Sequence, residues 1–297
     1  MYPSSFRYHR ASSLAEASAA LASLGPDAKV LAGGQTLIPL LKLRLLKPTD
    51  LIDIGRVSEA HFINEDASGV HFGALSTHAA IGTSDVSARH PILSDCSLGI
   101  ADTQTRTLGT VGGSIAEADP SSCWPALLCA LDAQVRCVSA AGERTQSVRE
   151  LLREPYAPAL RTGELIAAVH IGAAALDGTG AFVAFKRCAP AYPTASCALQ
   201  IAFDGDRCRD VHLAFGCVAL TPLVIDAAPI LRGRIPDRDA IEAVASAASA
   251  SAQPLADNKG SEAYKRSLVA GLVRRAFSVI EQRRRGETSL QTHFYYG

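Results

Sequence analysis

Two short glycine-rich segments carry the residue types best suited to bind a ligand. They are Gly33-Gly34-Gln35-Thr36 and Thr110-Val111-Gly112-Gly113-Ser114. Adjacent glycines permit positive φ angles, so successive backbone N–H groups can converge on an anion, and the missing Cβ lets a diphosphate approach the backbone. Two such loops could clamp one diphosphate from both sides. Either pair alone is more typical of an ordinary turn, and neither forms a G-x-G-x-x-G or Walker A motif.

The other residue types that perform chemistry are not arranged in a recognisable site. The eight cysteines are scattered, without a C-x-x-C pair, so zinc and iron–sulfur sites within the chain are not expected. The eight histidines form no H-x-x-x-H or H-E-x-x-H arrangement, and the G-x-S-x-G nucleophile motif is absent. The sequence therefore predicts no metal ligand, and reduced cysteines favour a cytoplasmic protein.

Length and charge narrow the class of protein. A chain of 297 residues predicts about two domains with sizeable cores. Lys plus Arg and Asp plus Glu each total 29, which argues against broad nucleic-acid binding. Charged residues and glycines interrupt every apolar stretch before about 18 residues, so no transmembrane segment is predicted. The first residues contain no apolar core of a secretory signal.

Helix and strand patterns alternate in the first half and place both glycine pairs beside predicted elements. Residues 13–24 are a predicted helix with Ser13 as N-cap, and residues 29–32 are a strand that runs into the first pair. Strands are further predicted at 50–54, 70–74 and 133–139, and helices from about His78, at 92–101 and at 124–131. The first pair thus follows a predicted strand, and the second lies in a Thr/Gly-rich stretch between two predicted helices.

The pattern changes near Asp177-Gly178-Thr179-Gly180, which is the predicted domain boundary. Strands are predicted at 181–187, 194–203 and 211–219, although 194–203 also fits a partly helical segment. Asp204-Gly205-Asp206 is a hairpin-turn signal. Helices are predicted at 235–252 and 263–284. This order is typical of an antiparallel sheet packed on helices.

Two longer segments carry a family resemblance. AGGQTLIPLLKLRLLKPTDLIDIGR and ADTQTRTLGTVGGSIAEADPSSCWPALLCAL strongly resemble the flavin-contacting segments of the FAD-binding medium subunit of molybdenum hydroxylases, the xanthine dehydrogenase and carbon monoxide dehydrogenase family. The resemblance extends from FRYHR-ASSLAEA to SEAYKRSLVAGLVRRA. It implies an α+β chain, with a vanillyl-alcohol-oxidase (PCMH)-type FAD-binding domain of two subdomains and a C-terminal α+β domain containing a three-stranded antiparallel sheet and helices.

The resemblance also implies domain bounds and site residues. The FAD-binding domain would span 1–177, with subdomains of about 1–57 and 58–177, followed by the C-terminal domain at 178–285 and a tail at 286–297. The diphosphate would be held by Lys29, Val30, Leu31, Ala32, Gly33, Gly34, Gln35 and Thr36, and by Thr110, Val111, Gly112, Gly113 and Ser114. Ile100 would lie in the apolar wall, and Leu165, Lys186 and Tyr192 match further flavin-contacting positions. A surface tyrosine is an equally good interpretation of Tyr192.

Three positions depart from the family pattern. Ser114 stands where the family usually has Asn, and Gln35 is unusual after the first glycine pair. In the D-P-x-x-D pattern Asp119 is kept, but Cys123 replaces the second Asp, a ribose acceptor in relatives. A thiol is a weak hydrogen-bond partner, so we expect a loss of roughly 1–2 kcal/mol, about tenfold in affinity. Asp119 could compensate only if its loop shifts.

The function implied is that of an electron-transfer subunit carrying FAD. Molybdopterin and two 2Fe–2S clusters would lie on a large and a small partner subunit, in a dimer of heterotrimers. Electrons would pass from the clusters through FAD to an external acceptor: quinone, NAD or oxygen. No acid–base residue of this chain is required. Two alternatives remain: a stand-alone flavin-dependent oxidoreductase, and a degenerate scaffold that does not bind FAD.

Overall fold

The computed structural model describes residues 2–288 and 291–295, in which helices flank three β-sheets. The strands are β1 Arg7–Arg10, β2 Ala28–Leu31, β3 Asp50–Asp53, β4 Ile63–Asp66, β5 Gly69–Gly73, β6 Gln134–Ser139, β7 Gly142–Ser147, β8 Leu165–Gly172, β9 Thr179–Lys186, β10 Pro193–Asp204, β11 Arg207–Gly216, β12 Leu223–Ile225 and β13 His293–Tyr295. The helices are α1 Leu14–Leu24, α2 Leu37–Lys42, α3 His78–Gly82, α4 Asp85–Arg89, α5 Pro91–Leu98, α6 Thr103–Leu108, α7 Val111–Glu117, α8 Cys123–Ala130, α9 Val148–Leu151, α10 Ala228–Leu231, α11 Arg238–Ser251 and α12 Glu262–Arg284.

The first sheet is parallel, in the order β1-β3-β2, and helix α1 packs against it. Helix α1 begins after Ser13, whose side chain accepts a hydrogen bond from the Glu16 N–H, and ends at Gly25, which has a φ of 81°. Both ends agree with the sequence prediction, because a hydroxyl N-cap and a glycine C-cap satisfy the free backbone groups of a helix locally. The first glycine pair follows β2 at the carboxyl edge of this sheet.

The second sheet is antiparallel, in the order β4-β5-β8-β6-β7. Its apolar face forms one core with helices α3, α4, α5, α7 and α8, and Phe72, Trp124 and Leu127 are fully buried there. Helix α3 begins at His78, as predicted, and the Thr77 side chain caps it by accepting from the Ala80 N–H at 3.2 Å. The second glycine pair lies within α7, on the side of this core that faces β5.

The third sheet has the order β12-β11-β10-β9-β13. Its long strands β9, β10 and β11 are the predicted antiparallel strands, and the Asp204-Gly205-Asp206 turn joins the last two. Strand β10 is extended throughout, so no part of it is helical. Helices α11 and α12 pack on one face through Val183, Val273 and Phe277, while Phe182 and Ala184 on the other face join the core of the second sheet.

The three-stranded description is incomplete, because two short strands extend the sheet at its edges. Strand β12 pairs with β11, and β13, from the tail, pairs in parallel with β9. The tail strand β13 has only three residues, which is too short for an alternating pattern to predict it. Its position is fixed by the free edge of β9. Within the part of the chain that the structure describes, no helix combines the length and apolar character needed to cross a membrane.

Candidate functional site

The two glycine segments meet, although 73 residues separate them in the chain. A Cβ at Gly33 would overlap the carbonyl oxygen of Leu108, two residues before Thr110. Gly34 has a φ of 71°, which glycine adopts without strain. Both glycines are therefore required by the backbone: one by a close approach between the two segments, and the other by its conformation.

The first segment presents a row of unpaired backbone donors. Among the described residues, no acceptor is found for the N–H groups of Gly33, Gly34, Gln35 and Thr36. The Gln35 side chain donates to the Gly33 carbonyl at 3.2 Å, which stabilises the turn. These residues are half-buried, so solvent reaches their N–H groups, and the four donors in succession are free to bind an anion such as a phosphate.

The second segment uses its backbone donors internally. Thr110 caps α7 by accepting from the Gly113 N–H at 3.1 Å, and the N–H groups of Val111 and Gly112 donate to the carbonyls of Ser76 and Ala74. Gly112 packs directly on Ala74, where a Cβ would not fit. The groups of this segment left for a ligand are thus the Thr110 N–H, for which no acceptor is found among the described residues, and the hydroxyls of Thr110 and Ser114, whereas the glycine N–H groups are already paired.

A third segment, residues 99–101, adjoins the second loop and is held by two cations. Lys186 donates to the Gly99 carbonyl, and Arg106 donates to the carbonyls of Ile100 and Ala101 at 2.8 and 3.1 Å. Ala101 has a φ of 44°, a strained conformation that these contacts maintain. The structure therefore brings Ile100 and Lys186 together beside the second loop.

Residues 99–101, Lys186 and Arg106 together form one wall beside the second loop, and the electrostatic character of this wall is positive. Lys186 is fully buried, and burial lowers the pKa of its ammonium group. Across residues 2–288 and 291–295, neither Lys186 nor Arg106 takes part in an ion pair. A buried cation without a carboxylate is costly, and this cost is offset when an anionic ligand binds nearby. The sequence analysis did not identify Arg106, whose only signal is its place three residues before Gly109.

His78 and Trp124 support the second loop from beneath. The Trp124 indole N–H donates to His78 Nδ1 at 3.0 Å, and the His78 ring packs on Gly109. The His78 N–H donates to the Gly109 carbonyl at 3.0 Å. Burial lowers the pKa of His78 to about 4, so its ring is neutral and accepts the indole hydrogen bond. The sequence analysis noted the His78 position only as a helix start.

The buried His78 is expected to make the folded chain less stable in acid. Its pKa is about 4 in the folded chain and 6.5 in the ordinary state, so the unfolded chain binds protons more readily. The free energy of unfolding should therefore fall as pH drops from about 6.5 to about 4, by about 3 kcal/mol. Urea unfolding between pH 7 and 4 measures this, and His78→Gln should remove about 3 kcal/mol of the dependence and leave the part that comes from the second buried histidine, His293, whose pKa burial lowers to about 3. The exposed His61→Gln variant is the control, and an equal effect in it would contradict the assignment.

The remaining predicted residues lie at different distances from these segments. Leu165 is buried in the core between the first sheet and β8. Lys29 is exposed, and its ammonium group points to the Pro26 carbonyl at 3.4 Å. Val30, Leu31 and Ala32 are half-buried and lead into the first loop. Tyr192 is 47% exposed, and the Lys259 Nζ lies 5.6 Å from the centre of its ring.

Asp119 and Cys123 have different environments. Asp119 is half-buried, and its Oδ1 accepts from the Ser121 N–H at 2.8 Å and from the Tyr156 hydroxyl at 3.1 Å. Cys123 is buried in the core, and burial raises the pKa of its thiol, which is therefore neutral. The structure thus keeps the Asp119 carboxylate in a polar network and turns Cys123 inward. Groups of three or more metal-ligating side chains do not occur among the described residues.

Comparisons with known proteins agree over nearly the whole chain. A family model described as the FAD binding domain in molybdopterin dehydrogenase matches residues 4–173, and one described as the CO dehydrogenase flavoprotein C-terminal domain matches residues 180–280. The carbon monoxide dehydrogenase medium chain of Afipia carboxidovorans is 36% identical over 278 residues, covering 93% of this chain and 96% of that one. The glyceraldehyde dehydrogenase medium chain of Sulfolobus acidocaldarius is 35% identical, covering 94% and 100%.

Solved structures also match this chain over nearly its whole length. A chain in the structure of reconstituted CO dehydrogenase from Oligotropha carboxidovorans superposes with a TM-score of 0.91 at 35% identity. The match covers 95% of this chain and 100% of that chain.

Proposed function

This chain belongs to the family of FAD-binding medium subunits of molybdenum hydroxylases, and from this premise we propose that it is the electron-transfer subunit of such an enzyme. It takes electrons from the 2Fe–2S clusters of a partner subunit and passes them to an external acceptor. The observation that carries the proposal is the row of four unpaired N–H groups at Gly33 to Thr36, beside a wall with two cations.

FAD is the cofactor of this family, and the residues present fit it. We assign the diphosphate to the N–H groups of the first loop and to the hydroxyls of Thr110 and Ser114, with residues 29–32 placing the first loop. Ile100 and Lys186 form the wall at the redox-active ring, and Tyr192 lies at an exposed edge. Leu165 shapes the apolar interior, and Asp119 is the better candidate than Cys123 for a ribose hydroxyl. When bound, FAD supplies the group that accepts and releases electrons.

The partners follow from the relatives, whose names describe medium chains of multi-subunit dehydrogenases. We propose an iron–sulfur small subunit, a molybdopterin large subunit and a dimer of heterotrimers. Quinone, NAD and oxygen all remain candidates for the external acceptor. The division of the chain at residues 177–180 and the cytoplasmic location also stay predictions.

The first experiment is a visible absorption spectrum of the purified full chain, before and after FAD is added, with heat release of bound flavin. A flavin spectrum with released FAD is expected. A colourless protein that takes up no FAD would instead support the degenerate scaffold. Co-expression with partner genes from the same source distinguishes the remaining alternative: a chain that oxidises its own substrate and captures no iron–sulfur or molybdenum subunit would be a stand-alone oxidoreductase.

Ser114 offers a prediction about affinity. Restoring the family residue with Ser114→Asn adds an amide donor beside the proposed diphosphate. We expect the Kd for FAD to fall about tenfold, since one added hydrogen bond to a charged group contributes about 1.5 kcal/mol. Quenching of flavin fluorescence measures the Kd, with Ser23→Asn on an exposed helix face as the control. A Kd unchanged in Ser114→Asn would place Ser114 outside the site.

A further inference from the structure

The C-terminal strand β13 lies next to the wall of the proposed flavin site. The second family model ends at residue 280, so this strand is outside the matched region. In the parallel pairing His293 stands beside Ala184, Phe294 beside Phe185 and Tyr295 beside Lys186. Ala184 and Phe182 face the core of the second sheet, and the His293 side chain, which contacts Phe182, lies on that same face.

His293 fills the space behind the wall. Its side chain is buried, its ring centre lies 6.2 Å from that of Phe182, and it packs so closely on Gly99 that a Cβ there would overlap the ring. Its Nδ1 lies 3.2 Å from the Thr292 hydroxyl, and its buried Nε2 has no hydrogen-bond partner among the described residues. Burial lowers the pKa of the ring to about 3, so His293 is neutral and adds no charge.

Gly99 is therefore held from two sides. The Lys186 ammonium group binds its carbonyl, and the His293 ring packs on its Cα. The next two residues are fixed by Arg106. Without His293, water would reach the space beside Gly99 and Lys186.

We propose that His293 is a positioning residue of the flavin site, which from the C-terminal strand fixes residues 99–101 and keeps water from the Lys186 ammonium group. This inference rests on the proposed function. The expected consequence is a change in the midpoint redox potential of the bound flavin. A dehydrated cation stabilises the negative charge that the flavin gains on reduction more strongly than a hydrated cation does. His293 acts through Lys186, and the effect depends on ring packing rather than on the ring nitrogens.

The test is a double-mutant cycle on the full-length, FAD-loaded chain. We expect His293→Ala to reduce the affinity for reduced flavin relative to oxidised flavin about tenfold, which is about 30 mV of midpoint potential for a two-electron couple. In a Lys186→Met background the same change should shift the potential little. Equal shifts in both backgrounds, or none in either, would overturn the proposal. If Lys186→Met does not fold, Lys186→Gln serves in the cycle.

Two further variants separate packing from chemistry. His293→Phe retains the ring and should keep the wild-type potential; a shift equal to that of His293→Ala would show that a ring nitrogen acts instead. Phe294→Leu, on the opposite face of the same strand beneath Arg275, is the control and should leave the potential unchanged.

A measurement without FAD keeps the inference separate from the proposed function. Hydrogen exchange of the backbone amides of residues 99–106 should accelerate in His293→Ala and stay at the wild-type rate in Phe294→Leu. Unchanged exchange in His293→Ala overturns the positioning role. If the wild-type chain binds no FAD, the proposed function fails, while the exchange data still decide whether His293 holds the wall.

Discussion

Replacing Gly33 with alanine is expected to weaken FAD binding roughly hundredfold, because the new methyl group cannot share space with the Leu108 carbonyl oxygen. Either the first loop or the segment before Thr110 must move, and forcing an extra methyl group into a packed contact costs about 1–3 kcal/mol. The same movement misaligns the unpaired N–H groups of Gly33 to Thr36 with the diphosphate. About 2.7 kcal/mol corresponds to the hundredfold change in Kd.

Flavin fluorescence titration measures this effect, and circular dichroism checks that the variant is folded. The matched control is Gly172→Ala, because Gly172 has a φ of −62° and no atom within 4 Å of an added Cβ. It should bind FAD as the wild type does. If Gly33→Ala keeps the wild-type Kd while folded, the contact between the two loops is not needed to form the site.

Removing Arg283 is expected to destabilise the chain by about 3–5 kcal/mol, because it leaves a buried carboxylate unpaired. Arg283, at the end of α12, forms a bidentate pair with Asp95 of α5, with distances of 2.7 and 2.8 Å, and also donates to the Gly180 carbonyl. The side chains are only 13% and 8% exposed. Asp95 additionally accepts from the Phe182 N–H at 3.1 Å, so the pair joins α5, α12 and β9.

Urea unfolding of Arg283→Met and of Asp95→Leu measures this loss. The double variant should regain most of the stability, because replacing both members of a buried pair with apolar groups removes the uncompensated charge. The exposed pair Arg274–Glu242 on α12 and α11 provides the control, and Arg274→Met should cost about 1 kcal/mol or less. A small effect in Arg283→Met would mean that water reaches Asp95 and that this junction is not sealed.

The local sequence determined the elements and their ends. Ser13, Thr77 and Gly25 act on backbone groups within four residues, so helix boundaries are encoded where they occur. The alternation at 70–74 and the Asp204-Gly205-Asp206 turn likewise depend on neighbours in the chain. The two long segments around the glycine pairs were sufficient to indicate the family and its cofactor.

Only the tertiary structure decided which backbone donors of those segments remain without an acceptor. The second glycine pair is equivalent to the first in sequence, but the Gly112 N–H donates to the Ala74 carbonyl and the Gly113 N–H donates to the Thr110 hydroxyl, so these glycines serve packing. Similarly, Lys186 and Gly99 are 87 residues apart, and no local pattern predicts their contact or the full burial of Lys186.

The tail is the clearest case of a structure that the local sequence does not determine. The sequence predicted only a tail at 286–297, whereas the described residues 291–295 complete the edge of β9 and bury His293. A three-residue strand has too little pattern to identify itself, and its position depends on the free backbone groups of β9. The sequence therefore determined the family, the helix ends and the two loops. Packing between distant residues decided which backbone N–H groups remain without an acceptor and that the Lys186 ammonium group is buried.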